Sequence, residues 1–196
     1  MPFTTTISDD KMRLLLNTSL IALSGLLCSP GHAAEPGPAL LTPLLEVISE
    51  RLTVADQVAL SKWDSGQAVE DVAREQQVIA GAEQRAAEYD LDPSDVQQLF
   101  RAQIEANKRV QNALLAQWRT AGRAPQTPRQ DLAKDIRPQL DQLQLRLLRT
   151  YADFQPLRDA GECSEILSAG LKQQLSDPIH DQALVLATAG LCKTGQ

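Results

Sequence analysis

The stretch "LTPLLEVISERLTVADQVALSKW", residues 41–63, decides the fold class. Its apolar residues return at steps of three and four positions, which is the spacing of one face of an α-helix. The members of this stripe are Leu41, Leu44, Leu45, Ile48, Leu52, Ala55, Ala59 and Trp63. Directly after it, "WDSGQ" breaks the pattern at Gly66. We therefore expect a long amphipathic helix that ends near Gly66 and packs against a core.

The rest of the chain has the composition of an all-α protein. Hydrophobic residues make up 43% of the 196 residues, whereas aromatic residues make up only 4%. Strong helix formers such as Leu, Ala, Gln, Glu and Arg are abundant, and alternating β-branched runs are few. A chain of this length can bury one core. We expect a single-domain helical bundle of about six helices.

Start and stop signals divide the chain after the first helix. A second helix is expected to run to about Tyr89, and Asp92 and Pro93 supply the N-cap and first position of a third. The Pro-broken linker "TAGRAPQTPRQ", residues 120–130, separates this helix from a fourth, whose apolar stripe reaches Phe154. Two short helices then close the chain as a C-terminal hairpin.

The N-terminus predicts an export signal. Two basic residues precede the apolar run 14–27, which is shorter than the roughly 20 residues of a membrane span. Small residues follow, and cleavage is expected after Ala33 or Ala34. We expect a signal peptide over residues 1–34 and a mature domain over residues 35–196, which is periplasmic or secreted.

The cysteine content agrees with export. Signal cleavage removes Cys28 and leaves Cys163 and Cys192, an even pair in an oxidising compartment. We expect them to form a disulfide that joins the C-terminal hairpin, with two free buried thiols as the alternative. The cysteines lack metal-ligand spacing with either histidine, His32 or His180, so no metal site is predicted.

The charge balance excludes some partners. The chain has 19 basic and 25 acidic residues and a net charge of −6. A general attraction to nucleic acid is therefore not expected, and neither is membrane binding after signal cleavage. Any anionic ligand must be bound by a local cationic cluster.

Polar residues at the apolar faces suggest such a cluster. Arg51 and Lys62 are eleven residues apart, about 20° past three full turns, and so lie on the same side of the first helix. Gln103, Asn107 and Gln111 fall within the apolar stripe of the third helix. Buried amides need hydrogen-bond partners, and this pattern suggests a polar ligand inside the bundle. The alternative is that the cations extend to solvent and the amides bind nearby backbone.

The order and spacing of Arg51, Lys62, Arg74, Asn107 and Gln111 resemble those of the all-helical chorismate mutases. Three strings resemble the secreted subclass of that family: "ERLTVADQVALSKW", "LDPSDVQQLFRAQIEANKRVQ" and "QLDQLQLRLL". The resemblance covers roughly residues 44–151, and the C-terminal cysteine pair fits the subclass as well.

This resemblance implies an enzyme that converts chorismate to prephenate by an intramolecular Claisen rearrangement, without a cofactor. Arg51, Arg74 and Arg146 are expected to bind the two carboxylates of the substrate, because a guanidinium can bind a carboxylate through two hydrogen bonds. Lys62 and Gln111 are expected at the ether oxygen, which gains negative charge in the transition state.

The remaining positions carry further expectations from the resemblance. Asp71 and Glu75 match family positions near the substrate hydroxyl, and Asn107 stands where relatives have a small hydroxyl or similar polar group. Arg146 replaces the arginine that cytosolic members take from a partner chain, so each chain should hold a complete site even within a homodimer. The amide of Gln111 donates at any pH, which predicts a broad neutral optimum. The competing hypothesis is a non-enzymatic exported helical binding module.

Overall fold

A computed structural model describes residues 36–175 and 177–193. Within these ranges the chain forms six α-helices and no strand, so the predicted all-α class is confirmed. The helices are α1 (Pro36–Ser65), α2 (Val72–Gln84), α3 (Pro93–Ala121), α4 (Arg137–Arg158), α5 (Cys163–Gln174) and α6 (Pro178–Ala187). A 3-10 helix (Ala86–Tyr89) follows α2, and a short π-helix (Leu132–Ile136) precedes α4. The predicted signal peptide lies outside the described residues.

The helix boundaries follow the local signals in the sequence. The helix α1 ends at Ser65, and Gly66 then takes a positive φ of 68°, which glycine adopts without steric strain. At the start of α3, Asp92 Oδ1 accepts the main-chain N–H of Ser94 at 2.7 Å, with Pro93 in the first turn. The predicted second helix is shorter than expected, because α2 ends at Gln84 and only the 3-10 turn continues to Tyr89.

The core forms around α1. This helix packs against α3, α4, α5 and α6, while α2 packs against α3. Leu44, Ile48, Phe100, Leu147 and Phe154 are all fully buried. Since α1 has neighbours on several sides, its apolar stripe is covered along most of its length, and its polar residues can be enclosed as well.

A disulfide and a buried ion pair hold the C-terminal hairpin. Cys163 and Cys192 are bonded, with their Cα atoms 5.7 Å apart, so the predicted disulfide is confirmed. Arg158 Nη2 donates to Asp95 Oδ1 at 2.9 Å, and Arg158 Nε donates to the Leu191 carbonyl at 3.2 Å. These contacts join the end of α4 to α3 and to the segment that follows α6.

Among the described residues, no helix combines the length and the apolar character that a membrane span requires.

Candidate active site

A cavity of about 140 Å³ opens between α1, α2, α3 and α4. Seven of the eight site residues predicted from the sequence line it. They are Arg51, Lys62, Asp71, Arg74, Glu75, Asn107 and Gln111. The two cations of α1 and the amides of α3 thus share one space, as their positions on the helix faces indicated.

Arg51 is a buried cation at the wall of this cavity. It is only 8% exposed, and its guanidinium carbon lies 5.7 Å from the ring centre of Phe100. Its Nη1 donates to the Leu140 carbonyl over 3.5 Å, and its buried Nε has no hydrogen-bond partner among the described residues. Burial lowers the pKa of Arg51 to about 10, although the nearby Asp141 carboxylate opposes this shift. The side chain therefore remains charged at neutral pH, with hydrogen-bonding capacity to spare.

The first turn of α2 positions Arg74. Asp71 is the N-cap of this helix, and its Oδ1 accepts the main-chain N–H of Arg74 at 3.1 Å. Across the cavity, Arg74 Nη2 donates to Asp141 Oδ1 of α4 at 3.2 Å. The contact fixes the guanidinium between α2 and α4. Asp141, which lines the cavity from α4, was not predicted from the sequence.

Glu75 is held from two sides. Its Oε1 accepts the main-chain N–H of Asp71 at 3.3 Å, and its Oε2 lies 3.3 Å from Lys108 Nζ. Lys108 also binds Glu105 Oε1 at 2.7 Å, and this bond is the main reason that the pKa of Lys108 is raised. Lys108 lines the cavity and was not predicted from the sequence.

The amides of α3 form directed hydrogen bonds. Asn107 Nδ2 donates to the Arg51 carbonyl at 3.1 Å, and Gln111 Nε2 donates to Asn107 Oδ1 at 2.7 Å. Gln103, which also lines the cavity, donates from Nε2 to the Ala187 carbonyl of α6 at 2.9 Å. The Oε1 atoms of Gln103 and Gln111 are buried without a partner among the described residues. Both oxygens therefore retain an unused capacity to accept a hydrogen bond.

Arg146 lies outside the cavity, which corrects the expectation that it completes the carboxylate site. Its Nη1 and Nη2 bind Glu50 Oε2 and Oε1 at 2.5 and 2.9 Å, and both side chains are about half exposed. The hydrogen bond to Glu50 raises the pKa of Arg146. This arginine joins the outer surfaces of α4 and α1.

Arg137 lines the cavity from the start of α4. Nine residues separate it from Arg146, and at 100° per residue this is two and a half turns, so the two side chains leave α4 on opposite sides. Leu140, Asp141 and Gln144 follow Arg137 at helical steps of three and four and also line the cavity. Reading this periodicity from Arg137 onward would have identified the correct face of α4.

Cations outnumber carboxylates in the cavity lining. Five cationic and three carboxylate side chains line it, and one of the cations, Lys108, is also paired with Glu105 and Glu70 outside the lining. The cations are Arg51, Lys62, Arg74, Lys108 and Arg137, and the carboxylates are Asp71, Glu75 and Asp141. The apolar part of the lining is formed by Val58, Val69, Val78, Ile104, Leu132 and Leu140. This combination suits a small dianion with an apolar body. No group of three metal-ligating side chains occurs within the described part of the chain.

Comparisons with known proteins agree with this geometry. The family model "Chorismate mutase type II" matches residues 42–112. A secreted chorismate mutase of Mycolicibacterium smegmatis is 33% identical over 184 residues, covering 92% of this chain and 100% of the relative. A secreted chorismate mutase of Mycobacterium tuberculosis is 30% identical over 181 residues, which cover 89% of this chain and 87% of the relative.

Among solved structures, a chorismate mutase from Burkholderia phymatum is 43% identical, with a TM-score of 0.78. The match covers 82% of this chain and 100% of that one. Because the identity is this high over almost the whole length of each relative, the chain belongs to the chorismate mutase type II family.

Proposed function

We propose that this chorismate mutase rearranges chorismate to prephenate in the cavity between α1, α2, α3 and α4. The protein is a secreted or periplasmic isomerase, and chorismate is its substrate. The observation that carries the proposal is the convergence of Arg51, Lys62, Arg74 and Arg137 on a partly apolar cavity. This arrangement matches a substrate with two carboxylates and an unsaturated ring.

Three arginines bind the carboxylates in this proposal. Arg51, Arg74 and Arg137 reach the cavity from α1, α2 and α4 respectively. Guanidinium groups that approach from three helices can hold two carboxylates in a fixed relation, which folds the side chain of chorismate over its ring. In an intramolecular reaction, holding the reactive shape supplies much of the rate enhancement. Arg137 takes the role that the sequence had suggested for Arg146.

Lys62 and Gln111 act at the ether oxygen. As the C–O bond of the ether breaks and the new C–C bond forms, negative charge gathers on this oxygen. A buried ammonium and an amide N–H stabilise that charge more strongly in the transition state than in the substrate. Lys62 is 9% exposed and Gln111 is 5% exposed, so little water competes for either donor. Asp71 and Glu75 bind the substrate hydroxyl.

A direct assay tests the function. The mature chain, residues 35–196, is mixed with chorismate, and the loss of chorismate absorbance and the formation of prephenate are followed. We expect turnover by the wild-type protein and a loss of roughly 100- to 1,000-fold in kcat for Lys62→Ala, the usual effect of deleting one such donor. Lys172→Ala, at an exposed position of α5, is the matched control. A folded protein that forms no prephenate would reject the proposal.

The boundaries and the assembly belong to the same proposal. We infer a signal peptide over residues 1–34, as the N-terminal sequence indicated, and a homodimer of mature chains, as the family resemblance implied. The residues assigned above to the two carboxylates and to the ether oxygen all belong to one chain, which supports a complete site in each subunit. N-terminal sequencing of the exported protein tests the cleavage position.

A further inference from the structure

The amide pair of α3 carries an inference about how Gln111 is oriented, and it rests on the function proposed above. Asn107 and Gln111 lie one helical turn apart, and both line the cavity. Gln111 Nε2 donates to Asn107 Oδ1, and Asn107 Nδ2 donates to the main-chain carbonyl of Arg51. The two hydrogen bonds form a chain that leads from the backbone of α1 to the side chain of Gln111.

The direction of this chain is set at its α1 end. A carbonyl oxygen can only accept a hydrogen bond, so Asn107 must turn its NH2 group toward Arg51 and its Oδ1 toward Gln111. Oδ1 can also only accept, so Gln111 must meet it with Nε2. Rotating either amide by 180° would bring two acceptors together.

The orientation matters because the two ends of the Gln111 amide affect the ether oxygen in opposite ways. Nε2 carries two hydrogens, and Asn107 uses one of them, which leaves the second for the substrate. A rotated amide would present Oε1 to an oxygen that gains negative charge, and the transition state would be destabilised. We propose that Asn107 is a positioning residue that holds the Gln111 amide in its donating orientation.

The first test is the kinetics of Asn107→Ala. We expect kcat to fall roughly tenfold, less than the effect of deleting a donor outright, because Gln111 remains but samples both orientations. KM should change little, since the arginines bind the carboxylates and the ether charge develops only in the transition state. Asn107→Ser should recover part of kcat, because its hydroxyl oxygen can accept from Nε2. Asn112→Ala, exposed on the same helix, is the control.

The second test reads the orientation of Asn107 from a pH profile. Gln111→Glu donates only when its carboxyl group is protonated, so this variant should be active in acid. An Asn107 that presents Oδ1 disfavours the carboxylate and raises the pH midpoint of activity, even though it competes with the ether oxygen for the single O–H of the protonated group. Removing Asn107 from the Gln111→Glu variant should therefore lower the pH midpoint of activity by about half to one pH unit, which corresponds to the free energy of one neutral hydrogen bond. An Asn107 in the opposite orientation donates to the carboxylate, and its removal would shift the midpoint upward.

The results of these tests distinguish a failure of the Asn107 inference from a failure of the proposed function. If the wild-type protein turns over chorismate, an unchanged kcat in Asn107→Ala, a loss confined to KM, or an upward or absent shift of the midpoint overturns the inference. If the alanine variant does not fold, Asn107→Ser with Gln111→Glu gives the same readout, since the serine hydroxyl can donate to the carboxylate and lower the midpoint. Failure of the wild-type protein to form prephenate rejects the proposed function instead.

Discussion

Arg51 combines deep burial with a retained charge. Its pKa of about 10 lies below the ordinary value because water is excluded from the guanidinium. Keeping this charge away from water therefore costs folding free energy on the order of a few kcal/mol, at about 1.4 kcal/mol per pKa unit. A dianionic ligand reverses that penalty by supplying the missing counter-charges.

We predict that Arg51→Met has opposite effects on stability and on activity. The methionine removes a buried charge while it fills part of the same volume, so the free energy of unfolding should rise by about 1–3 kcal/mol. Activity should fall by several orders of magnitude, because a carboxylate of the substrate loses its partner. Urea unfolding and the chorismate assay measure the two effects. A variant that is both inactive and less stable would contradict the predicted penalty.

The pKa of Arg51 also predicts the alkaline limit of the enzyme. In the free protein Arg51 loses its charge near pH 10, so kcat/KM should fall above this pH, while kcat should persist further because the bound dianion favours the charged form. Unfolded arginine keeps its proton to a higher pH. Between the two pKa values the unfolded state binds more protons, and the contribution of Arg51 to stability therefore rises with pH. A flat kcat/KM through pH 11 would contradict the lowered pKa of Arg51 in the free protein.

The two arginines of α4 offer a matched pair of variants. Arg137→Ala should lower kcat/KM by at least 100-fold, because a cation at the cavity is lost. Arg146→Ala should leave kcat/KM within about twofold and lower the free energy of unfolding by at most about 1 kcal/mol, the range of an exposed ion pair. Steady-state kinetics with chorismate distinguishes them. The reverse result would return Arg146 to the site and exclude Arg137.

For α4, the sequence predicted the helix but not the side that faces the cavity. Its apolar stripe indicated a helix, and α4 spans Arg137–Arg158. The stripe did not indicate which polar side faces the cavity, because positions on both margins of an amphipathic helix have the same local pattern. Packing of the apolar side of α4 against α1 decides this, and it leaves Asp141 beside Arg74 of α2 and Arg146 beside Glu50 of α1.

The C-terminal hairpin, by contrast, contributes to stability more than to chemistry. The disulfide joins residues 29 positions apart in the sequence, and in the chain-entropy model such a loop adds about 3 to 4 kcal/mol. Reduction should therefore lower the melting temperature by about 10 °C, while kcat at 25 °C is retained because the cavity lies between α1, α2, α3 and α4. A double Cys→Ser variant should melt at the reduced value with or without reductant. A loss of kcat without unfolding would place the hairpin in the catalytic cycle.

The whole molecule is acidic, whereas the lining of the cavity has more cations than carboxylates. The chain has a net charge of −6, whereas five cations and three carboxylates line the cavity. Binding of a dianion therefore depends on the local arrangement of cations. Added salt should raise KM moderately, but it should not abolish turnover, since buried charges are screened less than exposed ones.

The residues assigned to the carboxylates and the ether oxygen come from one chain, and we therefore predict that activity does not depend on assembly. Specific activity should stay constant when the protein is diluted through the dissociation of the proposed homodimer, with the oligomeric state followed by light scattering at the same concentrations. A loss of activity that parallels dissociation would mean that the partner chain supplies a group to the site.

The sequence by itself determined the helices, their order and the family. Helical periodicity and caps act within a few residues, so Gly66, Asp92 and Pro93 mark boundaries wherever the helix later packs. The polar residues of α1, α2 and α3 were also identified in advance, because their spacing resembles one family. The disulfide followed from the even cysteine count in an exported chain.

Only the tertiary structure decided how the helices turn toward one another. It brings Arg137 and Asp141 to the cavity and leaves Arg146 outside, and it adds Lys108 beside Glu75. It also gives direction to the amides, because Asn107 meets a carbonyl of a different helix. These features depend on the rotation and crossing of whole helices. Many side chains far apart in the sequence fix that geometry together, and no local pattern encodes it.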